Sequence, residues 1–207
     1  MKRILLVGDS ISLYYSRFLA TYLAGIAEIY TKAGMQEAME DLDLPKGANG
    51  GDSSMLLEYI RQREAEGTLD YDLFVFNCGL HDIKRVAPEC TLQVGPEDYR
   101  RNLQEIIAIT KRLDLPTVFV NSTPVEDERH NKATHYCINR HNKDLLLCNE
   151  IAEEVMAENG IPVIDLYGFT DALPEPKYCD HVHYIPEVQK KHGRFIAEIL
   201  KNLLTLT

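Results

Sequence analysis

Along the chain, short unbroken apolar runs alternate with longer stretches whose apolar positions recur every three or four residues. Arg3 to Val7 reads as a buried strand. From Ser12 to about Ala24, Leu13, Phe18 and Leu19 fall at helical spacing. Glu28 to Thr31 predicts a weak strand, and 32–51 is irregular, broken by Gly34, Pro45, Gly47, Gly50 and Gly51. Ser53 to about Glu66 predicts a helix with Leu56, Leu57 and Ile60 on its apolar face. A strand follows over Asp72–Asn77, then a helix over Pro96–Leu113 with proline in its first turn. Thr117–Val120 is a strand, and 121–133 is polar. The pattern then predicts a helix from about His135 to Glu158, stopped by Asn159-Gly160. Ile161–Asp165 is a fifth strand, and Pro186 to Leu203 a final helix.

Strands of nearly continuous hydrophobicity separated by helices imply a parallel sheet covered on both faces. The predicted fold is therefore α/β: one three-layer α/β/α domain over 1–207, with a flavodoxin-like five-stranded sheet in the order 2-1-3-4-5. Ligands of such sheets sit beyond the carboxyl ends of the strands, at the switch point between strands 1 and 3. Four polar clusters fall at that edge: Gly8-Asp9-Ser10, Gly47 to Ser53, Gly79-Leu80-His81-Asp82 and Asp180 to His183.

Composition narrows the function classes. The 207 residues carry a formal net charge of -10, which argues against nucleic acid and anionic membrane as main partners. A chain of this length buries roughly 70% of its unfolded surface, so it needs no disulfide or metal to fold. Cysteines 78, 90, 137, 148 and 179 are odd in number and show no paired spacing, as expected for reduced thiols in a cytoplasmic protein. The apolar stretch behind Met1-Lys2-Arg3 is too short for a signal peptide, and no apolar run approaches the roughly 18 residues of a membrane span.

Gly8-Asp9-Ser10 can be a simple turn or a turn that presents a nucleophile. Serine is a weak nucleophile unless a base takes its proton and a third group fixes the base's tautomer. Asp180 and His183, three apart before the last helix, have the spacing to do this, but spacing alone fits polar residues at a helix start better. The amides of Ser10 and Gly51, each at a helix start, are candidate donors to a developing oxyanion. At Gly51 the missing Cβ would let substrate come close. Gly47, Gly50 and Gly51 also fit a flexible loop. Asp9 and Asp82 read as turn-holding carboxylates. Asn77 reads as part of its strand.

Taken together, Gly8-Asp9-Ser10, Gly51-Asp52-Ser53, Gly79-Leu80-His81-Asp82 and Asp180-x-x-His183 resemble, in order, the blocks of the SGNH (GDSL-type) hydrolase superfamily. The resemblance spans residues 8–183. It implies Ser10 as nucleophile, His183 as base, Asp180 as acid, and an oxyanion hole from Ser10, Gly51 and the third block. There the family's asparagine is His81. A neutral histidine can donate from one ring nitrogen and a protonated one from either, so His81 either keeps the role or turns away and leaves two donors.

The resemblance implies hydrolysis of a small-molecule ester without metal or organic cofactor. The polar Glu126–Lys143 stretch favours a short acyl group on a polar alcohol, such as an acetylated carbohydrate. Lysophospholipase or thioesterase activity, and a non-catalytic binding module on the same fold, are the alternatives. The glycine-rich loop lacks the Lys-Ser/Thr pair of a phosphate-binding loop. His130, His135, His141 and His181 read as surface histidines rather than metal ligands. Cys78 and Cys179 read as small buried side chains, and Tyr14, Tyr15 and Tyr184 as pocket lining or packing.

Overall fold

The computed structural model describes residues 1–86, 90–133 and 138–205. Five strands form a parallel sheet: β1 (Lys2–Val7), β2 (Ala27–Thr31), β3 (Leu73–Phe76), β5 (Thr117–Val120) and β7 (Val163–Ile164). Their order is β2-β1-β3-β5-β7, which in chain order is 2-1-3-4-5. Strand β1 pairs on both edges, with Ile4 opposite Ile29 on one side and Leu73 on the other. A second, antiparallel pair joins β4 (Arg85–Val86) to β6 (Ile138–Asn139).

The helices are α1 (Ser10–Tyr22), α2 (Met35–Glu40), α3 (Ser53–Ala65), α4 (Pro96–Arg112), α5 (Asp127–Ala133), α6 (Asn142–Asn159), α7 (Leu166–Asp171) and α8 (Pro186–Thr205). One layer is made by α1 against α8; the other is α3, α4 and α6 packed in series. Between them lies a core in which Phe74, Phe76 and Phe119 are fully buried. Phe74 and Phe76, two apart and so on one face of the sheet, stack at 5.1 Å, and Phe119 meets Phe76 edge-on at 5.0 Å.

The local reasons for α4 are plain in its sequence. Pro96 occupies the first turn, Glu97 and Asp98 face the positive end of the helix dipole, and Lys111 and Arg112 the negative end. Tyr99, Leu103, Ile106, Ile107 and Thr110 form the buried stripe.

Several elements depart from the sequence pattern; the strand expected over Ile161–Asp165 is only Val163–Ile164, and the short helix α7 follows it. Helix α1 begins at Ser10 because the Asp9 side chain caps it, accepting from the amides of Ile11 and Ser12. The irregular and polar segments contain short helices, α2 and α5. The helix expected from about His135 begins instead at Asn142, whose amide donates to Asp127 Oδ1 at 2.7 Å, and β6 precedes it. His135 itself lies outside the described residues.

Replacing Ile106 with alanine removes a fully buried side chain between α4 and the sheet. Such truncations cost about 2–5 kcal/mol. The urea midpoint is expected to fall by that cost divided by the m-value, with the m-value unchanged; an unshifted midpoint contradicts this packing.

Candidate active site

Strand β1 ends at the carboxyl edge of the sheet, and the chain turns through Gly8 and Asp9 into α1. This turn sets Ser10 at the first helical position. No hydrogen bond among the described residues uses the Ser10 amide. That is the ordinary condition of a first-turn N–H, and it leaves a donor at the positive end of the helix dipole.

The Asp180–His183 segment is the tip of a loop closed by an antiparallel bridge between Tyr178 and Tyr184. The amides of Val182 and His183 donate to Asp180 Oδ1 at 2.8 and 2.7 Å. The other carboxylate oxygen, Oδ2, lies 2.7 Å from His183 Nδ1. On the far side of the ring, His183 Nε2 lies 2.8 Å from Ser10 Oγ. A carboxylate only accepts, so Nδ1 carries the imidazole proton and Nε2 receives the serine hydroxyl. Ser10 and His183 are 5% and 2% exposed, so the hydroxyl and ring meet with little solvent between them. Partial burial works against the Asp180 carboxylate, but His183 and the two amides outweigh it and hold its pKa well below the usual range. Tyr14 stands edge-on to the His183 ring at 5.5 Å.

The Gly47–Ser53 loop is pressed against the Gly8–Ser10 turn. Gly50 N donates to Gly8 O at 2.7 Å, and a Cβ on Gly50 would meet that oxygen at 3.0 Å. Gly51 has φ +71°, and a Cβ there would meet Met55 Sδ at 2.6 Å and Pro45 Cβ at 3.0 Å. Its glycine is thus required by its own backbone and neighbours, a different reason from room for substrate. The Gly51 amide is engaged by Asn49 Oδ1 at 3.0 Å.

The third block is tied to the second. Asp82 Oδ1 accepts from the amide of Ser53 at 2.8 Å, at the start of α3. Burial raises the Asp82 pKa to about 7 against the pull of Ser53. His81 is buried in the same turn with Nδ1 unpartnered among the described residues. Burial first, then Lys84, Arg140 and His183, push its pKa well below the ordinary histidine value. Its ring is therefore neutral with one N–H, and protonation gives it no second donor near neutral pH.

Against this geometry stand known structures of the same shape. A lipase/acylhydrolase from Enterococcus faecalis superposes with a TM-score of 0.71 at 18% identity, over 98% of this chain and 96% of that one. A GDSL-like lipase from Bacteroides thetaiotaomicron gives 0.66 at 17%, over 99% and 88%. A carbohydrate acetylesterase from Sinorhizobium meliloti gives 0.65 at 14%, over 98% and 100%.

The fold is that of the GDSL-type lipases and acylhydrolases.

At these identities the likeness is one of fold. No family model and no curated protein matches the chain.

On this GDSL-type fold the remaining sequence candidates sort by contact. Asp9 caps α1, and Asn77 Nδ2 donates to Val120 O and Ser122 Oγ, binding two strand ends together. Tyr15 and Tyr184 are packed in the core, the latter donating to Pro124 O. Cys78 is buried as expected, whereas Cys179 is exposed. His130 is no surface residue: it is fully buried against Arg140 and His181. Asn49, Asp43 and Arg140 went unnoticed in the sequence. Only Asn49 carried a signal, two residues before Gly51 in a glycine-rich run.

The raised Asp82 pKa sets a pH dependence. In the folded chain the carboxyl holds its proton up to about pH 7, and in the unfolded chain only to about 3.9. This term favours folding below the unfolded value and is lost as pH rises through about 7. Asp82→Asn removes the titration while keeping an acceptor for Ser53. From about pH 5 to about pH 8 the variant is expected to gain about 2–3 kcal/mol over wild type in urea unfolding. Parallel pH profiles would show that Asp82 is not held protonated.

Proposed function

We propose that the chain is a serine esterase in which Ser10, His183 and Asp180 act as a catalytic triad. One observation carries this reading: Ser10 Oγ, His183 Nε2, His183 Nδ1 and Asp180 Oδ2 lie in one line of hydrogen bonds of 2.8 and 2.7 Å. The Ser10 hydroxyl gives its proton to His183 Nε2 as Oγ attacks the ester carbonyl. Asp180 holds the tautomer and stabilises the imidazolium that forms. His183 gives the proton to the departing alcohol, then takes one from the water that attacks the acyl-serine and returns it to Ser10 Oγ as the acid leaves.

The oxyanion is received by the Ser10 amide, by the neutral ring of His81 and by Gly51. Gly51 joins by exchanging Asn49 Oδ1 for the substrate oxygen. An ionised acceptor makes a shorter and roughly twice stronger hydrogen bond than a neutral amide, so the exchange is downhill in the transition state and not before it.

The substrate is a short acyl ester of a polar alcohol, such as an acetylated carbohydrate. The near-complete burial of Ser10 and His183 favours a small acyl group. One neighbour of the same fold is a carbohydrate acetylesterase and another an acetyl xylan esterase. The net charge of -10 favours a neutral substrate over nucleic acid. No helix among the described residues is long and apolar enough to cross a membrane.

A fluorophosphonate probe is expected to label wild type at Ser10 and to leave Ser10→Ala unlabelled. Ester turnover by Ser10→Ala is expected to fall at least ~10⁴-fold, and by Asp180→Asn ~10²–10⁴-fold with little change in KM. On p-nitrophenyl esters from acetate to palmitate, kcat/KM is expected to peak at acetate. A peak at long chains moves the reading to a lysophospholipase or thioesterase. A folded wild type that takes no label moves it to a binding module.

A further inference from the structure

We infer that Asp43, His181, His130 and Arg140 are positioning residues that form a one-way hydrogen-bond relay, clamping the Asp180–His183 loop to the turn that carries His81. The relay's meaning for turnover rests on the esterase reading; its direction rests on geometry alone.

Four contacts make it. Arg140 Nε donates to Leu80 O at 2.7 Å, one residue before His81. Arg140 Nη1 lies 3.2 Å from His130 Nε2. His130 Nδ1 lies 2.9 Å from His181 Nδ1. His181 Nε2 lies 3.1 Å from Asp43 Oδ2.

Only one arrangement of protons satisfies all of them. A guanidinium has donors and no acceptor, so His130 Nε2 must be the bare nitrogen. The proton of that ring then sits on Nδ1 and is given to His181 Nδ1, which must be bare in turn. His181 therefore carries its proton on Nε2 and gives it to the carboxylate of Asp43. Every link points the same way, from Arg140 to Asp43, and both rings are neutral. Burial, followed by Arg140 and His181, pushes the His130 pKa down to about 3, in keeping with a neutral ring.

The relay also accounts for a buried charge. Arg140 is 3% exposed and makes no ion pair among the described residues. Its positive charge is answered at a distance by Asp43 and Asp9, the carboxylates that favour its charged form. Two neutral imidazoles between Arg140 and Asp43 let that pair act through oriented, mutually polarised bonds. A metal between the rings is a poorer explanation. Two imidazole nitrogens on a tetrahedral zinc at about 2.0–2.1 Å stand about 3.3 Å apart, wider than the 2.9 Å seen.

The residues joined come from separate loops. Asp43 lies in the segment leading to Gly51, His181 between the two triad members of the 178–184 loop, His130 in α5 and Arg140 just after β6. Lys84, at the end of the His81 turn, adds a bond from Nζ to the Asp43 carbonyl at 2.9 Å. The segments leading to Gly51, His81 and the Asp180–His183 pair are thus held to one another by side chains outside the proposed triad and oxyanion donors.

The first test reads the wild-type protein without any assay of activity. Long-range ¹H–¹⁵N imidazole spectra near neutral pH are expected to show His130 protonated on Nδ1 and His181 on Nε2, each neutral. A doubly protonated ring at either position, or the reverse tautomers, overturns the relay. The second test reads its purpose. Asp43→Ala removes the terminal acceptor and is expected to lower kcat about tenfold or more with KM within about twofold, since small misplacements of catalytic groups cost this much. Asp43→Asn keeps a carbonyl acceptor for His181 and is expected to restore most of the loss. If Asp43→Ala turns over an ester at the wild-type rate, or Asp43→Asn is no better than Asp43→Ala, the positioning role is wrong while the esterase reading stands. If wild type takes no fluorophosphonate and hydrolyses no ester, the positioning role falls with the esterase reading, and the tautomers alone decide whether the relay exists.

Discussion

The 2.8 Å contact between Ser10 Oγ and His183 Nε2 joins residues 173 positions apart, and most of the structure around it can be understood as holding that contact. Each end is made rigid locally. Asp9 caps the helix that begins with Ser10, and Asp180 folds its own loop around the amides of Val182 and His183. The two ends then meet because α1 and α8, which begin beside them, pack on the same face of the sheet. The entropy of closing so long a loop is offset by burying two amphipathic helices, not by the hydrogen bond itself, whose net worth is about 1 kcal/mol.

Features set by local pattern were legible in the sequence. The five strands, their order and the flanking helices follow from runs and periods of apolar residues, and Ser10, Asp180 and His183 stood out because turn chemistry sits beside each. Features made by partners far along the chain were not legible. The start of α6 depends on Asp127, 15 residues upstream, and the pairing of β4 with β6 on two segments too short to show a period. His130 read as a surface residue because its neighbours Arg129, Asn131 and Lys132 are polar. Its burial is caused by Arg140 and His181, which no local pattern links to it.

Around the site, burial and pairing pull ionisable groups in opposite directions. Asp82 is pushed up and His81 down, so both tend to neutrality, while Asp180 keeps its charge through His183 and two amides. Lys84, lowered to about 8 by burial and by Arg140, lies between these cases. Under the esterase reading, a neutral His81 would donate steadily while His183 would be the ring that changes its protons during turnover.

The resting state of the Gly51 amide bears on how the proposed oxyanion hole would work. Its partner, Asn49 Oδ1, is a neutral acceptor held at 3.0 Å in a residue with no exposure. A buried amide without any partner would cost about 1–3 kcal/mol, so occupancy by Asn49 stabilises the empty site. A ground-state ester carbonyl, itself neutral, gains nothing by displacing an equal acceptor, and the full negative charge of the tetrahedral intermediate gains a good deal. Asn49 would therefore discriminate against the substrate and in favour of the transition state, which is the direction in which binding raises kcat and not only affinity.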